Sequence, residues 1–152
     1  MSTRFTVIPA AYVLFVRQQA GRDQILLQLR EGTGYMDGYR ATGAAGHIES
    51  GESVFQAAAR EAAEELGVSD VDLTPLCAMH RSQGREPVNQ RVDYFLRAIA
   101  WSGEPRILEH DKCADLRWFN LHDLPQPVVP HELVVIESLR DGRVAPIVDY
   151  GF

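Results

Sequence analysis

The sequence predicts an α+β fold, and three observations carry that expectation. Residues 7–17 and 90–101 are apolar, β-branched or alternating in the manner of strands. Between them, the run from Ser53 to Gly67 holds the start and stop signals of a helix. Residues 131–140 (HELVVIESLR) form a second helical run, with Pro130 at its first turn and Gly142 past its end. Together these give a mixed, mainly antiparallel set of strands with two helices.

Taken in order, residues 7–17 (VIPAAYVLFVR) read as a buried strand that begins at an edge or bulge, since Pro9 has no N–H for a ladder. Gly21 marks residues 18–23 as a hairpin loop, and residues 24–30 (QILLQLR) are the returning strand. The glycine-rich stretch 32–38 is a loop, and 39–45 is a short strand leading to the first helix. Ser53 with Gln56 three residues on is a capping box, and Gly67 suits the position just past the helix end. A strand follows at 71–81, interrupted or begun near Pro75, and 82–89 is a loop holding Gly84 and Pro87. After the strand at 90–101 comes a mixed loop, 102–114, with Glu104, Glu109 and Asp111, then a short strand, 115–119, opened by Asp115. Three prolines make 121–130 a connection to the second helix. In the tail, Ile147, Val148, Tyr150 and Phe152 could dock on the domain or pair with a partner. No repeat, linker or low-complexity segment interrupts the chain, so one domain over residues 1–152 is expected.

Composition narrows the function classes. A net charge of −6 and a pI near 5.3 give no footprint for binding a nucleic-acid polymer. An anionic substrate therefore needs local help from a metal or arginines. Cys77 and Cys113 form neither a disulfide framework nor a zinc pattern and read as reduced, packed thiols. The N-terminus has no basic-then-apolar signal, and no apolar run reaches the roughly 18 residues of a membrane span. A cytoplasmic protein without membrane association is the expectation.

The chemistry concentrates in the first helix. Glu61, Glu64 and Glu65 are spaced to share one small patch of its surface. At about 100° per residue, Phe55, Ala59, Ala62 and Leu66 gather on a neighbouring stripe expected to face the core. Like charges at this spacing repel by roughly 0.2–0.5 kcal/mol per pair. Acids in the last turn also oppose the helix dipole. A bound divalent cation reverses both penalties, because hard Mg²⁺ takes carboxylate oxygens. The glycines at 43, 46 and 51 allow a ligand to approach the backbone, and a loop entering a helix presents free N–H groups suited to phosphate.

Residues 46–68 (GHIESGESVFQAAAREAAEELGV) resemble a complete Nudix box: Gly46, Glu52, Arg60-Glu61, Glu64-Glu65 and Gly67 all stand at its spacing. Ala62 stands where the family usually has a bulkier aliphatic, and Ala44-Ala45 replace the common Pro-Gly. The resemblance implies an α/β/α sandwich with a mixed curved sheet and a loop–helix–loop catalytic motif. It implies hydrolysis of a nucleoside diphosphate linked to another group, X, with Mg²⁺ or Mn²⁺ as cofactor. By position, Glu61, Glu64 and Glu65 match the family's metal-binding glutamates, and Gly46 matches the glycine whose carbonyl often adds a ligand. Glu52 and Arg60 match the pair that supports the loop–helix geometry.

Further candidates lie outside the box. Glu109 is the expected additional acid from the downstream loop, ahead of Asp111 and Asp115. Arg30, ending its strand, resembles an arginine that contacts substrate phosphate. His47, His80 and Arg81 are placed for substrate contact, and His131 and Glu132 could hydrogen-bond a base. Tyr12, Tyr35, Phe95 and Trp118 could stack on one. For each, an ordinary surface or core role is the alternative.

Within the family, the expected partner is a small-molecule nucleotide, most simply a nucleoside triphosphate split MutT-fashion into monophosphate and pyrophosphate. Cleavage of ADP-ribose or a nucleotide sugar is the alternative, although Pro75 falls too early and Pro87 a little late for the proline of ADP-ribose enzymes. The tyrosine of dinucleoside polyphosphate enzymes is missing between Val68 and Tyr94. A noncatalytic nucleotide-binding module is the reading from another class, and the intact box glutamates weigh against it. Many family members form homodimers, and the apolar tail could contribute to one.

Overall fold

The structure, a computed structural model, describes residues 3–152. Its first strand, β1 (Ile8–Gln19), explains the layering. Every side chain from Ala10 to Phe15 is buried, which requires cover on both faces of the sheet. Ala10, Tyr12 and Leu14 pack with Val135 and Ile136 on one side, while Ala11, Val13 and Phe15 pack with Ala57, Ala58, Ala62 and Leu66 on the other. Burying a side chain the size of Leu14 or Phe15 stabilises the fold by about 1.5–3 kcal/mol. The result is an α/β/α sandwich in which the two cores share β1.

The sheet runs β3-β2-β1-β6-β5-β8, with β4 paired to β1 and β7 to β2. These strands are β2 (Arg22–Arg30), β3 (Arg40–Thr42), β4 (Ala44–His47), β5 (Ser69–Ser82), β6 (Gln90–Ser102), β7 (Cys113–Asn120) and β8 (Ile147–Tyr150). Two pairings, β1 with β6 and β5 with β8, are parallel, and the rest are antiparallel. The sheet forks at β1, whose residues 10–13 pair with β4 while residues 16–19 pair with β2. Thus the tail pairs with its own domain, closing the edge at β5. Pro75 sits at a register shift between Pro75 and Cys77, so the strand continues through the proline as a bulge. Cys77 and Cys113 are free and buried, and burial pushes the Cys77 thiol up to about 11. Among the described residues no helix is long and apolar enough to cross a membrane.

The helices are α1 (Val54–Leu66) and α2 (Pro130–Arg140). α1 begins with the expected reciprocal cap: the Gln56 N–H donates to Ser53 Oγ at 3.1 Å and the Ser53 N–H to Gln56 Oε1 at 2.8 Å. It ends at Gly67 in the left-handed region, φ 70°, where a side chain would be strained. One expectation is corrected here. Phe55 is 46% exposed and Ala59 is exposed too; the buried stripe is Ala57, Ala58, Ala62 and Leu66. The helix docks through its smallest side chains because these let it lie close to the strands. That rotation carries Glu61 and Glu65 inward with the alanines, and the bulky Phe55 is left at the rim.

Candidate active site

Arg60 is the centre of the loop–helix junction. Its Nε donates to Glu52 Oε2 at 2.7 Å and its Nη2 to Glu52 Oε1 at 2.9 Å. Nη2 also reaches the His47 carbonyl at 3.1 Å, and Nη1 reaches Glu61 Oε1 at 2.8 Å and Glu64 Oε2 at 3.3 Å. Glu52 Oε1 further accepts the Glu49 N–H at 3.0 Å. Paired with Arg60 foremost, Glu52 is held down to about 2, well below an ordinary carboxylic acid.

Glu65 stands differently. One of its oxygens accepts the Ala45 N–H at 2.7 Å, pinning the helix to β4. Burial is the main cause that lifts its pKa to about 8, and the negative charges of Glu61 and Glu109 add to it. Glu61 is raised as well, again chiefly by burial. The Glu61 carboxylate lies against Gly46 so closely that a Cβ there would collide with it. This is why glycine is needed at 46, where the requirement is space rather than backbone conformation.

Glu109 arrives from the loop after β6 by way of the helix end. The last carbonyls of α1, which have no partner within the helix, accept from this loop: Leu66 from the Arg106 N–H at 3.0 Å and Glu65 from the Leu108 N–H at 3.3 Å. Glu109, next in sequence, is thereby delivered to the glutamate cluster. Asp111 and Asp115 do not join it. The Asp111 backbone packs on Gly32, and Asp115 is paired with Arg40 at 2.7 Å and Arg117 at 3.1 Å.

These groups open into a cavity of ≈ 960 Å³, lined among others by Gly46, Glu61, Glu64, Glu65 and Glu109. Arg30, His47, His131 and Glu132 line it too. Arg30 is oriented by its neighbours, donating to the Tyr35 carbonyl at 2.8 Å and to Thr33 Oγ1 at 3.1 Å. Buried Glu132 accepts the Thr42 N–H at 2.8 Å, and burial raises its pKa. His131, equally buried, lies 3.3 Å from the Tyr12 hydroxyl; desolvation first, then nearby arginines, lower it to about 3 and keep it neutral. His80 falls outside the cavity. Strand alternation turns it away from Arg81, which lines the cavity, and its ring instead lies 4.8 Å from that of Phe152.

Of the aromatics, Tyr12 and Tyr35 reach the cavity. Phe95 is core, its ring 4.7 Å from that of Tyr12, and Trp118 sits under Arg17 next to Trp101. The sequence reading passed over Gln28, Thr42, Arg91 and Lys112 in the lining, and Asp93 beneath it. A signal for the last existed: Asp93 is an acid within a run of residues otherwise suited to a buried strand.

Oxygen-only, carboxylate-rich surroundings are the donor set of a hard divalent cation. Glu61, Glu64 and Glu65 bring such oxygens to the cavity, and a bound cation would offset the burial, and the smaller repulsion between acids, that raise Glu61 and Glu65. Among the described residues no three such side chains already converge on one point. Two of them, Glu61 and Glu64, instead share the Arg60 guanidinium with Glu52.

The NUDIX domain model matches residues 7–139, and the chain belongs to the Nudix family as a Nudix pyrophosphohydrolase. The crystal structure of a MutT NUDIX hydrolase from Burkholderia pseudomallei is similar at 32% identity, covering 85% of this chain and 96% of that one with a TM-score of 0.68. The NUDIX domain of Shewanella oneidensis NrtR, solved with ADP ribose, matches at 21% identity over 90% of this chain and 88% of that one, TM-score 0.73. C. elegans Ap4A hydrolase matches at 19% identity over 90% and 98%, TM-score 0.66. The last two show the shared fold alone. Members of this family use divalent metal ions and bind small nucleotides.

Proposed function

We propose that this chain is a Mg²⁺-dependent nucleoside triphosphate pyrophosphohydrolase, releasing a nucleoside monophosphate and pyrophosphate. The supporting observation is one cavity that joins the Glu61, Glu64, Glu65 and Glu109 carboxylates to the cations Arg30 and Lys112 and to a buried polar pocket at Thr42 and Glu132. When bound, the divalent ion would supply charge neutralisation and acidify the attacking water. Glu61, Glu64, Glu65 and the Gly46 carbonyl would hold it.

The protein's own groups divide the remaining work. Arg30, fixed by Thr33 and Tyr35, presents a guanidinium fork that suits phosphoryl oxygens. As water oxygen bonds to phosphorus, the bridging P–O bond breaks and pyrophosphate departs with its electron pair. Glu109, which receives no hydrogen bond from Arg60 and is not among the residues holding the ion, is the carboxylate placed to take the proton released by water. Arg60 and Glu52 fix the loop against the helix and touch no reacting atom. Glu132 and Thr42 form the polar wall for a base.

A panel of nucleoside triphosphates, ADP-ribose and nucleotide sugars, assayed with Mg²⁺ and Mn²⁺ and scored for pyrophosphate against phosphate, tests this reading. Pyrophosphate release from a triphosphate, abolished in Glu65→Gln, supports it. Turnover confined to diphosphate-linked sugars replaces the substrate class, and binding without any metal-dependent turnover replaces catalysis by a binding role.

A further inference from the structure

A second polar centre borders the same cavity on the strands away from β2 and β3. Asp93 on β6 is wholly buried, and Arg81 on β5, 7% exposed in its side chain, donates to Asp93 Oδ2 through Nε at 2.7 Å. Arg91 comes only to 3.9 Å from Asp93 Oδ1, and among the described residues neither that Nε nor that Oδ1 has a hydrogen-bond partner. Two guanidinium charges therefore share one carboxylate. The surplus sits on Arg91, whose side chain is 15% exposed and lines the cavity beside Val88, Asn89 and Gln83. His131, 3.7 Å from Asp93 and neutral, adds neither sign.

An arginine withdrawn this far from water, without an acid of its own, is costly unless something pairs with it. Its planar fork matches phosphoryl and carboxylate oxygens. The register locates it relative to the chemistry. Gly46 stands opposite Ala11 on β1, and Asp93 opposite Ala10, so their backbones lie two strand spacings apart, roughly 10 Å. Gln28 and Thr42 flank the glutamates on the other side, through β2 and β3. A substrate centred on the glutamates would thus reach both flanks.

We infer that Arg81, Asp93 and Arg91 form an anion subsite, and that the group X joined to the nucleoside diphosphate carries an acidic oxyanion, phosphoryl or carboxylate, that docks on Arg91. The inference rests on the pyrophosphohydrolase reading above and deepens it; the terminal phosphate of a triphosphate is one such X. Asp93 then acts as a positioning residue, holding Arg81 and leaving the Arg91 fork free.

Two measurements test this separately from turnover as such. In the full-length protein with EDTA, inorganic phosphate is titrated while the arginine Nε–H signals are followed by NMR, with Arg91 assigned from Arg91→Lys. A saturable shift of the Arg91 signal is expected; an Arg91 signal that does not move overturns the subsite. With metal, two matched pairs are compared, ADP-ribose with ADP-ribose 1″-phosphate and UDP-glucose with UDP-glucuronate. The acidic member of at least one pair is expected to win by about ten- to hundredfold in kcat/KM, the worth of one charge-assisted pairing. The winning pair tells phosphoryl from carboxylate, and the preference should collapse in Arg91→Gln and in Arg91→Lys, which keeps the charge without the fork. Equal rates within both pairs, or a preference that survives both variants, overturns it. If no substrate turns over at all, the catalytic reading fails while the phosphate titration still decides the subsite.

Discussion

Arg60 grips Glu52 at two points, Nε to Oε2 at 2.7 Å and Nη2 to Oε1 at 2.9 Å, and so ties the loop before α1 to the middle of the helix. The same guanidinium reaches Glu61 at 2.8 Å, so an error in the loop is transmitted to a candidate metal ligand. Glu52→Gln keeps the shape of the side chain but removes the charge that holds Arg60. Groups that orient ligands in this way typically matter by ten- to a hundredfold. Metal affinity and kcat/KM are therefore expected to fall by about that factor while the melting temperature changes little. Wild-type metal titration and kinetics in the variant would remove Glu52 from this role.

Gly46→Ala should be far more damaging than its size suggests. The added Cβ meets the Glu61 carboxylate, which is itself held by Arg60 and cannot retreat without breaking that bond. Overpacking of this kind costs roughly 1–3 kcal/mol, a shift of several degrees in melting temperature for a chain of this length. Activity should drop further than stability, because the side chain displaced is a ligand candidate. Retention of full turnover would show that the crowding is relieved some other way.

Glu65 predicts a pH dependence with a definite sign. Its folded-state pKa, about 8, lies above the ordinary value of 4.5. The folded protein therefore holds this proton more tightly than the unfolded chain does. The stability so contributed is complete below about 4.5 and is lost as pH rises toward 8. Melting of metal-free protein should accordingly fall across that window, and Mg²⁺ should flatten the slope by supplying the missing counter-charge. Glu65→Gln, melted in EDTA, should lose most of the slope and become more stable than wild type above pH 8, a gain measured apart from activity. An unchanged slope in that variant would assign the effect to another group.

How far the sequence spoke depended on whether a feature was local. The cap at Ser53, the stop at Gly67 and the spacing of Glu61, Glu64 and Glu65 are written in adjacent residues and read directly. The rotation of α1 was not, because Phe55 looks like a core residue until the strands are present to select the alanines. His80 and Arg81 were indistinguishable as neighbours in a chain; only the pleat of β5, fixed by its pairing with β6, decides which faces the cavity. The acid at Asp93 stood out in its run, but its pairing was hidden for the same reason, since its partner Arg81 lies on a different strand. Glu109 was found through the family pattern, whereas the hydrogen bonds that seat its loop on the end of α1 belong to tertiary structure.

The Arg81–Asp93 pair gives the sharpest test of buried charge in this fold. With Asp93 wholly buried and Arg81 nearly so, each relies on the other for the solvation it has lost. Removing one partner strands the other, and such losses run to roughly 3–5 kcal/mol. Asp93→Ala should therefore lower the melting temperature by on the order of 10 °C, using about 2–4 °C per kcal/mol for a domain of this size. The double variant Arg81→Met, Asp93→Leu removes both charges and fills the space, so it should regain the part of that loss due to Arg81, with Arg91 still lacking the shared carboxylate. Thermal melts of the three proteins distinguish the cases. A double variant no more stable than Asp93→Ala would mean that the cost arises from packing around β5 and β6, and not from the stranded arginine.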